Sequence, residues 1–199
     1  TGCKLNFVEN PDTVPENVRE IAPTVFVAVP RVWEKFYSGV MISLKESTRL
    51  QQAAYAWAIG VGRAIADKVL AGEAVPAGLK WRFHLARWLA LDNVRKMIGI
   101  HRARYLVTGA APISPELIRW YLSLGIPMLE VWGMTETCGV STAMTATRIK
   151  PGSIGPAAHY NQVRLDPATG EIQVKGPNVF AGYLNLPEKT AETFTEDGW

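Results

Sequence analysis

The stretch from Ala103 to Gly139 constrains the fold more than any other part of this chain. Tyr105, Leu106 and Val107 form an apolar run of strand length and β-forming character, which Gly109 breaks. Ser114-Pro115-Glu116 then reads as a helix start. The Ser hydroxyl can accept from a free backbone N–H, Pro suits the first helical position, and Glu favours the positive end of the helix dipole. Leu117, Tyr121 and Leu124 recur at helical spacing, and Gly125 stands where a C-terminal cap belongs. A second strand over residues 128–132 ends in Gly133. Strand, helix, strand predicts two parallel strands joined by a right-handed crossover. Both glycine-marked bends, Gly109-Ala110-Ala111 and Gly133-Met134-Thr135-Glu136, then fall at the carboxyl ends of neighbouring strands, the edge at which open α/β sheets bind ligands. Small residues let a flat ring approach the backbone. A hydroxyl beside a carboxylate can serve a phosphate and its metal ion.

At 199 residues the chain is one large domain or two small ones, long enough to bury a core. Its apolar fraction of 48% and charged fraction of 20% are ordinary for a globular protein, and a net charge of +3 argues against a nucleic-acid partner. The charge is uneven: nine Lys/Arg against three Asp/Glu over residues 61–105, three against six over residues 161–199. Cys3 and Cys138 are too few and too distant in sequence for a disulfide framework or a metal site, which predicts reduced thiols in a reducing, cytoplasmic setting. There is no leader-like segment, and no apolar run is long enough to span a bilayer. His84, His101 and His159 lack ligand spacing and are assigned no catalytic work.

Along the chain, residues 4–9 read as a short strand and residues 15–21 as a short helix capped by Asp12 or Thr13 and ended by Pro23. Residues 24–29 are a continuous β-branched and aromatic run, predicting a strand buried on both faces. A helix starts at Arg31. Residues 41–71 carry a long helical pattern with Gly60 and Gly62 as weak points. Residues 80–98 are helical again, with Trp81, Leu85, Trp88 and Leu89 in one apolar row and Phe83, Ala86, Ala90, Val94 and Met97 in another; so wide an arc predicts a well-buried helix. Beyond Gly139, residues 163–166 and 171–175 alternate as strands around the turn Asp166-Pro167-Ala168-Thr169-Gly170, residues 179–184 suggest a third strand, and residues 187–194 a short helix or turn. The predicted class is α/β, with a parallel-sheet subdomain over residues 1–149 followed by a small antiparallel β unit over residues 150–199.

Trp132-Gly133-Met134-Thr135-Glu136 resembles the Tyr-Gly-x-Thr-Glu motif of adenylate-forming enzymes, the family of acyl-CoA synthetases, luciferases and peptide-synthetase adenylation domains. Residues 108–112 resemble their Gly-Ala-Ala/Pro adenine loop, and Gly170-Glu171-Ile172 through Gly182-Tyr183-Leu184 their Gly-Glu-Ile…Gly-Tyr segment. Residues 23–35, with Val29-Pro30-Arg31-Val32-Trp33-Glu34-Lys35, look most like the long-chain fatty acyl-CoA synthetase branch. The resemblance implies ATP, Mg²⁺ and coenzyme A, with a fatty acid as the carboxylate activated. It implies that Gly109, Ala110, Ala111 and Pro112 accommodate adenine, and that Glu130, Val131, Trp132, Gly133 and Met134 complete the nucleotide wall. Thr135 would bond the α-phosphate and Glu136 would ligate Mg²⁺. Trp132 replaces the commoner Tyr; stacking needs only a π face, but the Tyr hydroxyl is lost. The family's phosphate loop would lie upstream of these residues, and its ribose-binding Asp, hinge and catalytic Lys downstream. The resemblance therefore implies an internal piece of the large N-terminal domain, inactive alone.

Competing readings remain. On its own, Thr135-Glu136 is better explained as a capping pair on an exposed loop; the other motifs, in order with it, reverse that and favour the site. An aryl- or amino-acid-activating relative would keep the same nucleotide residues, and a non-catalytic nucleotide- or acyl-binding module is a third class. Cys138 reads as a small packing residue. Arg82, Arg87, Arg95, Lys96, Arg102 and Arg104 with Trp81 or Trp88 suggest peripheral contact at the inner face of a membrane. A buried helix with a solvated basic edge is the favoured alternative.

Overall fold

The computed structural model describes every residue except Thr1, Cys3 and Glu9. In chain order it contains α1 (Val14–Ile21), β1 (Val25–Ala28), α2 (Pro30–Lys45), α3 (Arg49–Leu70), α4 (Ala77–Ala86), a π-helical turn (Arg87–Leu91), α5 (Asp92–Ile98), β2 (Tyr105–Thr108), α6 (Pro115–Ser123), β3 (Met128–Met134), β4 (Gly139–Ala143), β5 (Gln162–Leu165), β6 (Ile172–Lys175) and α7 (Pro187–Thr193). One sheet has the order β1-β2-β3-β4 and the other pairs β5 with β6. β1, β2 and β3 are parallel, with Val27 opposite Val107 and Thr108 opposite Glu130. β4 runs antiparallel to β3 and β6 antiparallel to β5. The expected α/β class, a parallel sheet followed by a small antiparallel unit, is therefore present.

The β2–α6–β3 unit forms because local signals agree. Pro115 occupies the first turn of α6 and Glu116 its acidic position, although the Ser114 hydroxyl stays out of the cap. Gly125 follows the helix at φ +81°, the left-handed conformation that ends a helix cheaply only at glycine. Period-two alternation then places Phe26, Leu106, Thr108, Met128 and Glu130 on one face of the sheet, beneath the helices. An aromatic group anchors that layer. Trp33 and Tyr121 are fully buried, meet edge-to-face at 5.3 Å, and are tied by a hydrogen bond from the Tyr121 hydroxyl to the Trp33 carbonyl at 2.9 Å. Trp33 in turn donates its indole N–H to the Ala28 carbonyl at 3.0 Å, fixing α2 against the end of β1.

The opposite face corrects the expectation for β1. Val25 and Val27 are 52% and 65% exposed, so the strand is covered on one face only. β1 is the sheet's edge, and edge position is a tertiary property that an apolar run does not encode. Residues 4–8 form no strand, and Leu5 and Phe7 stay exposed; Glu9 lies outside the described residues.

Two helical expectations are also corrected. The break between α2 and α3 falls at residues 46–48, not at Gly60 or Gly62, because Thr48 opens α3 with a capping box to Gln51. Gly62 is a packing site: a Cβ there would lie 2.1 Å from the Ser123 carbonyl oxygen of α6. Residues 77–98 form three helical segments, with Asp92 N–H bonded five residues back to Arg87. That wide turn lets Ala86 and Leu91, five apart and both fully buried, share the inner face. Trp81 in α4 and Trp88 in the π turn are both exposed, against the expectation of a well-buried helix. The expected third strand at residues 179–184 is absent from the described structure, since the Phe180 N–H donates to the Glu136 carbonyl at 2.8 Å instead of joining a ladder. β4 was not anticipated; its Gly-Val-Ser-Thr-Ala sequence carries little strand signal.

The C-terminal residues are tied to the hairpin. Arg164 makes a two-pronged contact with Asp197 at 2.8 and 3.1 Å while its guanidinium lies 4.3 Å over the Trp199 ring. The Arg164 bond, aided by the Thr195 hydroxyl, holds the Asp197 carboxyl down to about 2.

Gly60 and Gly62 give a paired test. Gly60 faces open space, so Gly60→Ala should stabilise by up to about 1 kcal/mol from helix propensity. Gly62→Ala should destabilise by about 1–3 kcal/mol through overpacking. Urea denaturation of both variants measures the difference.

Candidate functional site

The two glycine-marked bends lie on one rim. Gly109 follows the last residue of β2, Thr135 follows the last residue of β3, and the two strands are parallel neighbours. A Cβ on Gly109 would lie 2.8 Å from the Val131 carbonyl oxygen, so the first bend rests against β3 only because the side chain is missing. Ala110 follows in the left-handed region at φ +66°, an uncommon conformation for a residue with a Cβ. Ala110, Ala111 and Pro112 are exposed along the rim. The bends are not level. Val131 neighbours Gly109, and Thr135 lies four residues further along β3, about 13 Å at the usual ~3.3 Å per residue.

The second bend is built by close approach. A Cβ on Gly133 would stand 1.5 Å from the Gly139 carbonyl oxygen, and the β3–β4 pairing shifts register between Trp132 and Gly133. Thr135–Thr137 form one 3₁₀ turn between Met134 and a left-handed Cys138 (φ +50°). The buried Thr137 hydroxyl accepts from the Met134 N–H at 3.1 Å and lies 3.1 and 3.2 Å from the Met134 and Gly139 carbonyls, one of which takes its proton. That hydroxyl pins the turn, a role residue type alone did not reveal. Thr135 is exposed, and Glu136 and Trp132 are half-buried. Cys138 is exposed, not a packing residue: its left-handed backbone turns it out of the core.

Glu136 is held from a distance in sequence. The Tyr183 hydroxyl donates to Glu136 Oε1 at 2.7 Å, and the Asn178 amide donates to the Thr137 carbonyl at 2.9 Å. The Tyr183 bond lowers the Glu136 pKa and raises that of Tyr183. Gly182-Tyr183 was legible as a motif, but its contact with Glu136, 47 residues away, was not. An open hollow of about 580 Å³ lies on this side of the turn, walled by Glu136, Val174, Phe180, Tyr183, Phe194 and Trp199 among others. Gly109 to Pro112 do not line it.

Glu130 stands apart from the rim residues. Its side chain points to the helix-covered face, is 8% exposed, and its Oε2 has no hydrogen-bond partner among the described residues. Burial raises its pKa. Its register partner Thr108 is fully buried with its hydroxyl likewise unpaired among the described residues.

No cluster of three or more His, Cys, Asp or Glu suited to a metal exists among the described residues. Glu136 nonetheless fits one kind of metal site. Its carboxylate favours the ionised form, and Tyr183 engages Oε1. Mg²⁺ commonly binds through one or two carboxylates, with substrate phosphates and water filling the remaining positions.

Residues 1–184 match the family of AMP-binding enzymes. Among curated relatives, a putative fatty-acid–CoA ligase, fadD11, of Mycobacterium tuberculosis is 35% identical over the whole chain, which covers 35% of that protein. The long-chain-fatty-acid–CoA ligase ACSBG2 of Gallus gallus is 38% identical over 97% of the chain and 26% of its own length. The chain thus spans about a quarter to a third of the length of these curated relatives. Among solved structures, the Bacillus subtilis O-succinylbenzoate coenzyme A synthetase with ATP and magnesium superposes at a TM-score of 0.55 with 19% identity, over 94% of this chain and 30% of that one. MatB of Rhodopseudomonas palustris, without ligand, gives 0.53 with 24% identity, over 92% and 29%. These two likenesses concern the fold.

Two titrations test the electrostatics. Tyr183→Phe should move the Glu136 pKa up toward that of an ordinary glutamate, read by carbon-13 NMR of the side-chain carboxyl. For Glu130 the folded pKa is raised, so ionisation opposes folding and stability falls as pH rises through the ordinary glutamate range toward the folded pKa. Glu130→Gln should raise the melting temperature near neutral pH, with the gain vanishing below the ordinary glutamate pKa.

Proposed function

This chain belongs to the AMP-binding enzyme family, and from that premise we propose that it carries part of the nucleotide site of an ATP-dependent long-chain fatty acid–CoA ligase. The observation that carries the reading is the placement of both bends on one rim of a parallel sheet. One bend offers bare backbone at Gly109 to a flat ring. The other offers a hydroxyl and an ionised carboxylate to a phosphate. Ring and phosphate sit at opposite ends of a nucleoside monophosphate, as the staggered bends do on the rim. The names of relatives 35% and 38% identical support a fatty acid as substrate.

In this reading the fatty carboxylate attacks the α-phosphorus of ATP, pyrophosphate leaves, and the thiol of coenzyme A then displaces AMP from the acyl-adenylate. No side-chain nucleophile is required; the protein positions two anions and offsets developing charge. Ala110, Ala111 and Pro112 border the purine, and the half-buried Trp132 supplies a π face near it. The exposed Thr135 hydroxyl donates to an α-phosphate oxygen. Glu136, oriented by Tyr183, holds Mg²⁺. The metal bound there neutralises phosphate charge. Val131, Gly133 and Met134 serve as backbone, and so does Glu130, whose side chain lies on the covered face. The division at residues 149 and 150, a cytoplasmic setting and dependence on further parts of a longer enzyme belong to the same proposal.

A panel of carboxylic acids scored by pyrophosphate release, run on the protein at its natural length, tests this. Long-chain acids should be activated. Preference for aryl or amino acids would assign a different adenylate former, and nucleotide binding without turnover a non-catalytic module. The 199-residue chain alone should release no pyrophosphate. Glu136→Gln should lower kcat/KM about 10²–10³-fold, with a higher magnesium requirement; Thr135→Ala should lose about tenfold or more.

A further inference from the structure

The segment formed by α4 and the π-helical turn presents an apolar, basic face that the fold does not use. Trp81 is 68% exposed, Trp88 74% and Leu89 45%. Trp81 and Trp88 stand seven positions apart, just short of two turns, with the π turn beginning at Arg87, and so on nearly the same side. Lys80, Arg82 and His84 are exposed beside them. The inward side is occupied by Ala86 and Leu91, both fully buried. The exposed residues are therefore not the ones that dock the segment.

Charge decides what such a face suits. Residues 77–91 hold three Lys/Arg and no Asp or Glu, and residues 77–104 seven against one. The single carboxylate, Asp92, is taken by Arg87 at 3.1 Å and Arg95 at 3.2 Å. Lys96, Arg102 and Arg104 extend the exposed positive charge. Indole rings flanked by Lys80 and Arg82, which pair with no carboxylate among the described residues, match a surface that is apolar below and anionic above, because the ring partitions into the headgroup boundary while the cations meet lipid phosphates. No helix among the described residues is long and apolar enough to cross a membrane, so contact through this segment is peripheral.

We propose that the Trp81–Trp88 face is a docking surface for an anionic phospholipid bilayer, lying in the headgroup plane. The inference stands on this helix alone and is independent of the adenylation reading. At low salt the protein at its natural length should co-sediment with equimolar phosphatidylcholine–phosphatidylglycerol vesicles and not with pure phosphatidylcholine. Added salt should weaken the binding, and brominated lipid should quench tryptophan emission. Trp81→Ala with Trp88→Ala should abolish most of the quenching and the binding, while Trp57→Ala on α3 should change neither. Lys80→Gln and Arg82→Gln should each weaken binding roughly fivefold. All these side chains are exposed, and circular dichroism confirms the fold of each variant. Failure to bind anionic vesicles would overturn the proposal. So would binding indifferent to Trp81 and Trp88, or a self-association that the same double variant abolishes.

Discussion

A Cβ at Gly133 would stand 1.5 Å from the Gly139 carbonyl oxygen, and one at Gly109 would stand 2.8 Å from the Val131 carbonyl oxygen. These two backbone approaches set the rim. The first lets β4 fold back on the end of β3 despite the register shift, which throws Thr135 and Glu136 out into a single tight turn. The second lays the bend after β2 directly on β3. A methyl group at either position would push apart the strands whose ends carry the candidate site.

The rim is then stiffened from two sides. From within, the Thr137 hydroxyl closes the turn on its own backbone. From the C-terminal part of the chain, Phe180 N–H, the Asn178 amide and the Tyr183 hydroxyl converge on Glu136 and Thr137. Of these donors only the Phe180 N–H belongs to the backbone, and its commitment to the Glu136 carbonyl takes it from any ladder over residues 179–184; Asn178 and Tyr183 reach the turn through their side chains. These contacts also give the Gly182-Tyr183 segment a physical task, the orientation of an ionised carboxylate, that its appearance in a sequence motif leaves unstated.

The helical layer shows a different balance. The Trp33–Tyr121 contact and the Gly62–Ser123 approach hold α2, α3 and α6 close against one another and the sheet. The segment from α4 to α5 is instead rotated by its π turn. The wide turn brings Ala86 and Leu91 inward together, while Trp81 on the preceding α4 and Trp88 within the turn lie outside. An apolar arc that looks like a buried helix in one dimension is thus divided between core and surface.

The sequence by itself determined the β2–α6–β3 unit, the hairpin of β5 and β6, and the order of the two bends. Each of these rests on signals within a few residues: alternation, proline at a helix start, glycine at its end, an Asp-led turn. It also determined the family, because four motifs in order carry information that no one of them holds. Only the tertiary structure decided that β1 is an edge, that the Glu130 carboxyl is buried with its Oε2 unpaired among the described residues, that Cys138 faces outward, and that Tyr183 reaches Glu136. Each of these depends on which surfaces meet across long sequence separations, and hydrophobic periodicity records that a residue prefers burial without recording whether a neighbour arrives to bury it.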